Sequence, residues 1–329
     1  MTDERWSAWS LAEAFHLACA ADFIVKTDLL DDRQRSVAAL AGKAGVDPTL
    51  LARMLELLEE RTDLVVSGRR GFKRGPGLGD NDASAIDQYV GAYGPGAHAL
   101  AEVMAAPDLG RRLVNRVRHA AAFSRGTGAA EALLPGLLAD LKLGRVLDLG
   151  CGVGALLLAL ADRDPAFEGW GIDANPAMLA RAEHALATAP DVRGRVHFYE
   201  ADVFAPAALP DQVRDATTIV ASNVANELFH PDPSGAVRWL TELRHVFPGR
   251  TLVVADYYGV LGHSVPLDPR RALHDWIQLI SSQGVPPPDS DAWEAVYVAA
   301  GCSLLHVLHD RRVGAFIHLV RLAPDDRAA

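Results

Sequence analysis

Three alternating glycines beside an acidic residue form the segment of the sequence that says most about ligand binding. Asp148 lies in an apolar run, and Gly150, Gly152 and Gly154 follow before the apolar segment 155–161. Residues without a Cβ can adopt positive φ and leave room for a ligand at the backbone. The third glycine comes one residue earlier than in the dinucleotide fingerprint G-x-G-x-x-G. Because Asp148 would repel a pyrophosphate and attract an ammonium or sulfonium group, the turn predicts a cationic ligand.

Two further acidic residues follow predicted strands. Residues 169–173 read as a strand that ends in Asp173, about 20 residues beyond the glycine turn, where a carboxylate commonly accepts ribose hydroxyl groups. A third strand, residues 195–200, is followed by Asp202 and Val203. Because ligands of parallel sheets bind at the carboxyl ends of the strands, the acidic residues are expected to line one site.

The motif of residues 148–154, with Asp173 and Asp202, resembles the cofactor motifs of class I S-adenosylmethionine-dependent methyltransferases. The resemblance implies S-adenosylmethionine as the cofactor and Asp173 as the ribose ligand. It implies that Asp202 accepts a hydrogen bond from the adenine amino group and that the backbone amide of Val203 contacts the ring. The remaining cofactor-binding residues expected from the resemblance are Ala174, Ser222 and Asn223.

The second half of the chain alternates apolar strands with helical segments. This pattern predicts an α/β fold with a seven-stranded, doubly wound, Rossmann-like sheet. By the family resemblance its last strand is antiparallel. The predicted strands are residues 145–150, 169–173, 195–200, 217–222, 251–256, 303–308 and 315–322.

The N-terminal region has the pattern of a winged helix. Helical segments at 10–30 and 36–46 precede Asp47, a favourable N-cap with Pro48 after it, and residues 63–74 read as a short hairpin. The helix after Asp47 carries three glutamates, Glu56, Glu59 and Glu60, against a single Arg53. Because DNA recognition requires a basic recognition helix, this region is interpreted as a dimerisation module, despite basic residues in the hairpin.

A winged-helix unit followed by a methyltransferase domain resembles the plant-type and bacterial natural-product O-methyltransferases over nearly the whole chain. The resemblance implies a homodimer formed through the N-terminal domain. The predicted organisation is a winged-helix-like domain at 1–82, a helical linker roofing the site at 83–142 and the cofactor-binding domain at 143–329. Breaks in the linker are expected at 94–96 and 126–128, where glycines cluster.

Composition limits the possible partners and location. The 329-residue chain is 50% hydrophobic with a net charge of −10, which argues against nucleic acid as a partner. The apolar runs read as too short for a membrane helix, the first residues lack a signal-peptide pattern, and the three cysteines are widely spaced. We therefore expect a cytoplasmic protein that acts on a small molecule, without membrane contact or a metal ion.

The loop after the fourth predicted strand is expected to face the methyl acceptor. Many O-methyltransferases of this type carry a catalytic histidine here, whereas this chain has Asn226 and Glu227, with its nearest histidine displaced to His230. A different branch of the family methylates the β-carbon of 2-oxo acids, for which arginine can anchor the carboxylate. Arg118 and Arg125, in the linker, are the candidates for that role.

Two aromatic or histidine segments are further candidates near the acceptor. Tyr93, with Tyr89, could hold a sulfonium group by cation–π attraction, although core packing is an equal explanation. His274 and Asp275 could face the substrate as a pair, but a plain surface helix is the favoured interpretation. The predicted catalytic set is therefore Asn226, Glu227, Tyr93 and Arg118.

Three functions compete on this evidence. The leading one is a methyltransferase of secondary metabolism that methylates the carbon of a 2-oxo acid, ahead of O-methylation. The second is a cyclase in which the cofactor's own amine attacks its aminobutyrate arm and releases methylthioadenosine and azetidine-2-carboxylate. The third is a non-enzymatic winged-helix regulator that senses S-adenosylmethionine.

Overall fold

The chain divides into two compact units. A computed structural model describes residues 6–125, 129–141, 144–266, 268–310 and 314–323. One unit comprises Met1–Pro95 and Val117–Gly126, and the other comprises Gly96–Arg116 and Thr127–Ala329. The segment predicted as a separate linker, 83–142, is thus shared between the two units, and the expected break at 126–128 lies outside the described residues.

The N-terminal unit contains the predicted helix–turn–helix and hairpin. Its elements are α1 (Ala8–Lys26), α2 (Val37–Ala44), α3 (Pro48–Arg61), β1 (Val65–Gly68), β2 (Gly71–Arg74), α4 (Asp80–Ala85) and a π-helical turn, Ile86–Ala92. Asp47 caps α3 as predicted, because its carboxylate accepts a hydrogen bond from the Leu50 amide at 2.7 Å. Leu40, Leu55 and Leu58 lie in the core of this unit.

Short helices follow, and the expected break near Gly94 is only one residue long. The π-helical turn ends at Ala92, and residues 94–98 already form the next helix. A proline near the start of a helix lacks only an N–H that would have no intrahelical partner, so Pro95 is compatible with this position. The helices are α5 (Gly94–His98), α6 (Leu100–Ala105), α7 (Asp108–Leu113), α8 (Arg116–Arg125) and α9 (Ala129–Leu141).

The larger unit is built on a seven-stranded sheet, as predicted. Its strands are β3 (Val146–Leu149), β4 (Gly169–Asp173), β5 (Val196–Glu200), β6 (Thr218–Ser222), β7 (Thr251–Tyr257), β8 (Ser303–Asp310) and β9 (Ala315–Arg321). The strand order is β5-β4-β3-β6-β7-β9-β8. β9 pairs antiparallel with both β7 and β8, which confirms the expected direction of the last strand.

Helices cover both faces of this sheet. The helices of this unit after β3 are α10 (Ala155–Arg163), α11 (Pro176–Ala187), α12 (Ser234–Val246), α13 (Pro269–Ile280) and α14 (Ser290–Ala299). One core contains buried residues of α12 and α14, and another contains those of α9 and α10. Parallel strands covered on both faces are buried along their length, and all four residues of β3, including Asp148, are buried.

The register of the strands brings the candidate site residues to one edge of the sheet. Leu149 at the end of β3 pairs with Ile172 of β4 and with Ala221 of β6. The segments that follow β3, β4 and β6 therefore leave the sheet at the same edge. This edge is the one at which open α/β sheets bind ligands.

One finding differs from the sequence-based expectation about membranes. Among the described residues, α1 is long and apolar enough by length and composition to cross a membrane, with a mean hydropathy of 1.3. The expectation of only short apolar runs failed because the single acids Glu13 and Asp22 do not lower the mean of this alanine-rich helix enough. Helices of many proteins that do not span membranes are as long and as apolar as α1. The expected location therefore stays a prediction.

Candidate active site

The glycine turn between β3 and α10 requires its glycines for two different reasons. Gly150, Gly152 and Gly154 all have positive φ, at 72°, 54° and 76°. A Cβ on Gly150 would lie 2.6 Å from Val224, and one on Gly154 would lie 2.5 Å from the Phe198 ring. A Cβ on Gly152 would meet nothing nearer than the Met178 sulfur at 3.9 Å. Space beside the backbone therefore remains open at Gly152.

Asp173 joins the end of β4 to the glycine turn. Its Oδ2 accepts a hydrogen bond from the Gly152 amide at 2.9 Å, and its Oδ1 accepts one from the Asn175 amide at 2.7 Å. Burial raises the pKa of Asp173, while these two hydrogen bonds and the charge of Arg116 oppose the rise. Each carboxylate oxygen can accept a second hydrogen bond, so both oxygens keep capacity for ribose hydroxyl groups. Asp148 is also buried, at 4% exposure.

The other predicted cofactor residues follow β4, β5 and β6. Ala174 is exposed directly after Asp173. Asp202 is exposed, and its Oδ1 accepts a hydrogen bond from the Phe204 amide at 2.9 Å, while Val203 is buried between them. Asn223 has a φ of 52°, and its amide donates to the Ala255 carbonyl at 2.8 Å.

These residues fit an S-adenosyl cofactor. The open space at Gly152 lies next to Asp173, and within the described part of the chain the buried Ser222 hydroxyl has no hydrogen-bond partner. Acidic side chains with free acceptor capacity suit a ligand that presents hydroxyl, amino and sulfonium groups and carries no phosphate. The roles of the individual residues stay predictions.

Asn226 and Glu227 lie in a 3₁₀ turn, Ala225–Leu228, directly after β6. The backbone amide of Asn226 donates to Asp256 Oδ2 at 3.0 Å, and the backbone amide of Tyr257 donates to Asp256 Oδ1 at 2.9 Å. Complete burial raises the pKa of Asp256 to about 7, against the opposing effect of these two hydrogen bonds. Asp256 therefore positions the turn and fixes the location of Asn226.

The Glu227 carboxyl group has the properties of a proton acceptor. Burial is the main cause that raises its pKa, and the charge of Asp173 adds to the rise. Arg111, Arg116 and the amide of Gln283 oppose the rise. A carboxylate with a raised pKa is a better base than one in water. Its electrostatic coupling to Asp173 links it to the cofactor side of the site.

Sequence reasoning did not single out Tyr257, and it named His274 and Asp275 as a possible pair while favouring a surface position for them. Tyr257 ends β7, and its ring meets the His274 ring edge-on at a centroid distance of 4.6 Å. Burial lowers the pKa of His274 to about 4, so this histidine is neutral at pH 7. Asp275 is 0% exposed, and its Oδ2 accepts hydrogen bonds from the Val260 and Leu261 amides.

The interpretation of His274 and Asp275 as part of a plain surface helix is therefore wrong for Asp275. α13 exposes Leu273 and Trp276 on one side and buries Asp275 and Gln278 on the other. Polar residues three apart on a buried helical face are a signal that could have been found in the sequence.

Arg118 and Arg125 have structural partners in the N-terminal unit. The Arg118 guanidinium lies 2.5 Å from Asp22 and 2.6 Å from Asp87, and the Arg125 guanidinium lies 3.2 Å from Asp87. Asp87 is only 1% exposed, so these contacts neutralise a buried carboxylate. This arrangement does not support Arg118 as an anchor for a substrate carboxylate.

Tyr93, the remaining predicted catalytic residue, also belongs to the N-terminal unit. It is 4% exposed, and its ring meets that of His119 edge-on at 5.8 Å. These contacts agree with the core-packing explanation, and a role toward the cofactor stays a prediction. In the described ranges no group of three or more His, Cys, Asp or Glu residues could hold a metal ion.

Comparisons with known proteins agree with the site. Residues 146–247 match a family model described as a methyltransferase domain. The chain is 31% identical over 166 residues to a trans-aconitate 2-methyltransferase of Shigella dysenteriae, a match that spans 48% of this chain and 56% of that relative.

Solved structures with the same fold cover nearly the whole chain. The mitomycin 7-O-methyltransferase MmcR matches with a TM-score of 0.72, at 18% identity over 94% of this chain and 95% of its own. Human N-acetylserotonin methyltransferase, solved with S-adenosylmethionine, matches with a TM-score of 0.70, at 16% identity over 99% and 100%. PigF, solved with S-adenosylhomocysteine, matches with a TM-score of 0.74, at 17% identity over 95% and 98%. The glycine turn, Asp173 and Asp202 thus all lie within residues 146–247, the part of the chain that matches the methyltransferase-domain family.

Proposed function

We propose that the chain is a methyltransferase of secondary metabolism that methylates the β-carbon of a small 2-oxo acid. The observation that carries the proposal is the Glu227 carboxyl group, whose pKa is raised by burial against the opposing charges of Arg111 and Arg116. A base within the electrostatic influence of two guanidinium groups suits an acid that must lose a proton and whose carboxylate and enolate both need positive charge.

Glu227 is the proton acceptor in this scheme. The β-C–H bond of the 2-oxo acid breaks, its proton passes to Glu227, and the electron pair is held as an enolate. The cofactor supplies an electrophilic methyl group on a sulfonium. When bound, the cofactor would give this methyl group to the enolate carbon as its sulfur–methyl bond breaks, so that the products would be S-adenosylhomocysteine and the methylated acid.

Arg111 replaces Arg118 as the proposed anchor for the substrate carboxylate. Its guanidinium donates to the Ser282 carbonyl at 3.4 Å and lies 6.0 Å from the Phe204 ring centroid. Neither of these two contacts is a carboxylate, although the charge of Arg111 also acts on the Glu227 carboxyl group. The same guanidinium would also neutralise a substrate carboxylate. Arg116 is close enough to both Asp173 and Glu227 to influence their pKa values.

O-methylation of a hydroxyl group is the second candidate. It uses the same base, and it is supported by the fold shared with O-methyltransferases of natural products, such as MmcR. The proton would then come from a phenol or enol oxygen. The two candidates differ in whether an oxygen or a carbon receives the methyl group.

The experiment is an assay with cofactor and two panels of acceptors, aliphatic and aryl 2-oxo acids in one and phenols in the other. S-adenosylhomocysteine formation with a 2-oxo acid, and a new C-methyl signal by NMR, are expected. A second readout is exchange of the β-protons with D₂O in the presence of S-adenosylhomocysteine, which requires the base alone. Turnover of phenols only, with no exchange of 2-oxo acids, would select the second candidate.

Incubation with the cofactor alone tests the cyclase alternative. Accumulation of methylthioadenosine without an acceptor would contradict both methylation schemes.

We further propose that the chain works as a homodimer, without nucleic acid or a membrane as partner, in the cytoplasm. The apolar side chains exposed on α1 support the dimer, and the net charge of −10 supports the exclusion of nucleic acid.

A further inference from the structure

Several acceptor atoms close to the Asn226 turn are buried without partners. Within the described ranges, Asn226 Oδ1, Asp275 Oδ1, Gln278 Oε1 and the Tyr257 hydroxyl are buried and make no hydrogen bond. All four residues are less than 9% exposed. A buried polar atom without a hydrogen-bond partner destabilises the protein, and a charged one does so more strongly. Such a concentration of unpaired acceptors indicates a ligand that donates.

The Tyr257 hydroxyl connects the members of this group. The side chains of Asp275 and Asn226 both lie within hydrogen-bonding reach of the hydroxyl and influence its pKa that way, although neither contact has the full geometry of a hydrogen bond. Asp275 and Gln278 are three residues apart on α13 and project from the same face. We call Asn226, Tyr257, Asp275 and Gln278 the acceptor cluster.

The charge of the cluster is negative and only partly compensated. Asp275 Oδ2 accepts two backbone amides at 2.6 and 2.9 Å, which leaves Oδ1 for a ligand. The neighbouring His274 ring is neutral at pH 7, because burial lowers its pKa to about 4. The cluster therefore offers one carboxylate oxygen, amide oxygens and a hydroxyl, without a cation in this group.

We propose that the acceptor cluster binds a primary ammonium group of the methyl acceptor. An ammonium group has three N–H donors and no acceptor, so it can serve three of these four atoms, Asp275 Oδ1, Asn226 Oδ1 and the Tyr257 oxygen. A neutral hydroxyl could satisfy one or two of these atoms but would leave the charge of Asp275 without a counter-ion. Charge-assisted hydrogen bonds are about twice as strong as neutral ones, so recognition should depend on the cation.

The inference rests on the proposed function in one respect, that the loop after β6 faces the acceptor. It adds the chemical class of the acceptor's distal end. The acceptor would then be a small zwitterionic molecule, with a carboxylate toward Arg111 and an ammonium group at the acceptor cluster.

The test measures binding, so that it does not depend on turnover. The full-length protein, saturated with S-adenosylhomocysteine, is titrated with n-butylammonium, butyltrimethylammonium and 1-butanol, and Kd is measured by ligand-observed NMR. Butylammonium should bind at least about tenfold more tightly than the other two, a difference that corresponds to about 1.4 kcal/mol. Butyltrimethylammonium has the charge without N–H donors and reports non-specific attraction to an acidic protein.

Two variants locate the binding. Tyr257→Phe removes only the hydroxyl group, and Asn226→Ala removes the side-chain amide group. Each should weaken butylammonium binding about tenfold, the loss typical of a hydrogen bond to a charged group. Tyr258→Phe is the matched control, because that neighbouring hydroxyl bonds His318 at 3.2 Å and lies outside the cluster. The melting temperature of each variant shows that it is folded.

Equal binding of the three probes to the wild type would overturn the inference and indicate that water alone fills the cluster. Butylammonium binding that is unchanged in both Tyr257→Phe and Asn226→Ala would also overturn it. Methylthioadenosine formed from the cofactor alone, and lost in Tyr257→Phe, would assign the ammonium site to the cofactor's own amine. Retained ammonium binding in a Glu227→Gln protein that no longer turns over would separate this inference from the proposed base.

Discussion

Glu227 shows how a residue that is ordinary at the surface gains chemistry from its position. Leu228 and Phe229 follow it in the sequence. The turn that carries it is held by hydrogen bonds from the backbone amides of Asn226 and Tyr257 to the buried Asp256. Burial then raises the pKa of Glu227. The base is thus produced by the turn and its anchor as much as by the residue type.

Replacement of Glu227 by Gln should abolish most activity. General-base catalysis contributes about 100- to 10,000-fold, so kcat should fall at least about 100-fold, with a much smaller change in cofactor affinity. In the wild type, kcat/KM should fall as pH falls through the raised pKa of Glu227, because only the carboxylate accepts a proton. Steady-state rates against pH check this, and a wild-type acid limb that persists in Glu227→Gln would contradict the role.

Gly154 offers a test of the glycine turn. Gly154→Ala should destabilise the protein and weaken S-adenosylhomocysteine binding, because φ is 76° and the new Cβ would lie 2.5 Å from Phe198. The left-handed conformation alone costs a residue with a side chain about 1–2 kcal/mol. Calorimetry of unfolding and of ligand binding measure the two effects.

Gly42→Ala is the matched control for Gly154→Ala. Gly42 lies in α2 with no heavy atom within 4 Å of a new Cβ. Alanine in a helix interior is favoured over glycine by about 0.5–1 kcal/mol, so this variant should be slightly more stable. Equal effects of the two substitutions would mean that the turn geometry is not the cause.

At the scale of elements, the buried His318 ties β9 to its neighbours. Its Nδ1 lies 3.0 Å from the Tyr297 hydroxyl of α14, and its Nε2 lies 3.2 Å from the Tyr258 hydroxyl after β7. The Phe316 ring stacks on it at a centroid distance of 3.8 Å. Burial lowers the pKa of His318 to about 3, so the ring is neutral in the folded protein.

His318→Phe should lower the free energy of unfolding by about 2 kcal/mol or more, since it leaves two tyrosine hydroxyls without their partner. The dependence of the free energy of unfolding on pH should change too. The unfolded histidine binds a proton below about pH 6.5 and the folded one does not, so the wild type loses stability as pH falls from about 6.5 towards 3. The variant should lack this part of the loss.

Denaturant unfolding between pH 4 and 8 measures both effects. His306→Gln, on the exposed strand β8, is the control and should change stability by less than about 0.5 kcal/mol. A His318→Phe protein with the wild-type slope against pH would contradict the assignment of a buried neutral histidine.

Local features of this fold were predictable from the sequence, whereas contacts between residues far apart in the chain were not. The strands, the Asp47 cap and the glycine turn were predictable because each depends on a period or a turn within a few residues. The ion pairs of Arg118 with Asp22 and Asp87 join residues far apart in the chain, and no local pattern reports them. The same is true of Arg111 and Tyr257, which reach the Asn226 turn only through the fold.

At the scale of the whole molecule, the N-terminal unit exposes large apolar side chains. Trp6, Trp9 and Phe15 are 66%, 81% and 50% exposed, and Leu50 is 72% exposed. Single exposed apolar residues are common, but a concentration of aromatic ones within one unit is typical of an interface. This observation supports the proposed homodimer through the N-terminal unit.

Introduction of charge on α1 should separate such a dimer without unfolding it. We expect the double variant Trp9→Glu, Phe15→Glu to elute as a monomer in size-exclusion chromatography with light scattering, because buried charges without partners strongly oppose association. Its far-ultraviolet circular dichroism should match that of the wild type, since both side chains are at least half exposed. Leu133→Glu, at a 66% exposed leucine of the larger unit, is the matched control and should stay dimeric. A wild-type chain that is monomeric at micromolar concentration, or a double variant that stays dimeric, would contradict the N-terminal unit as the interface.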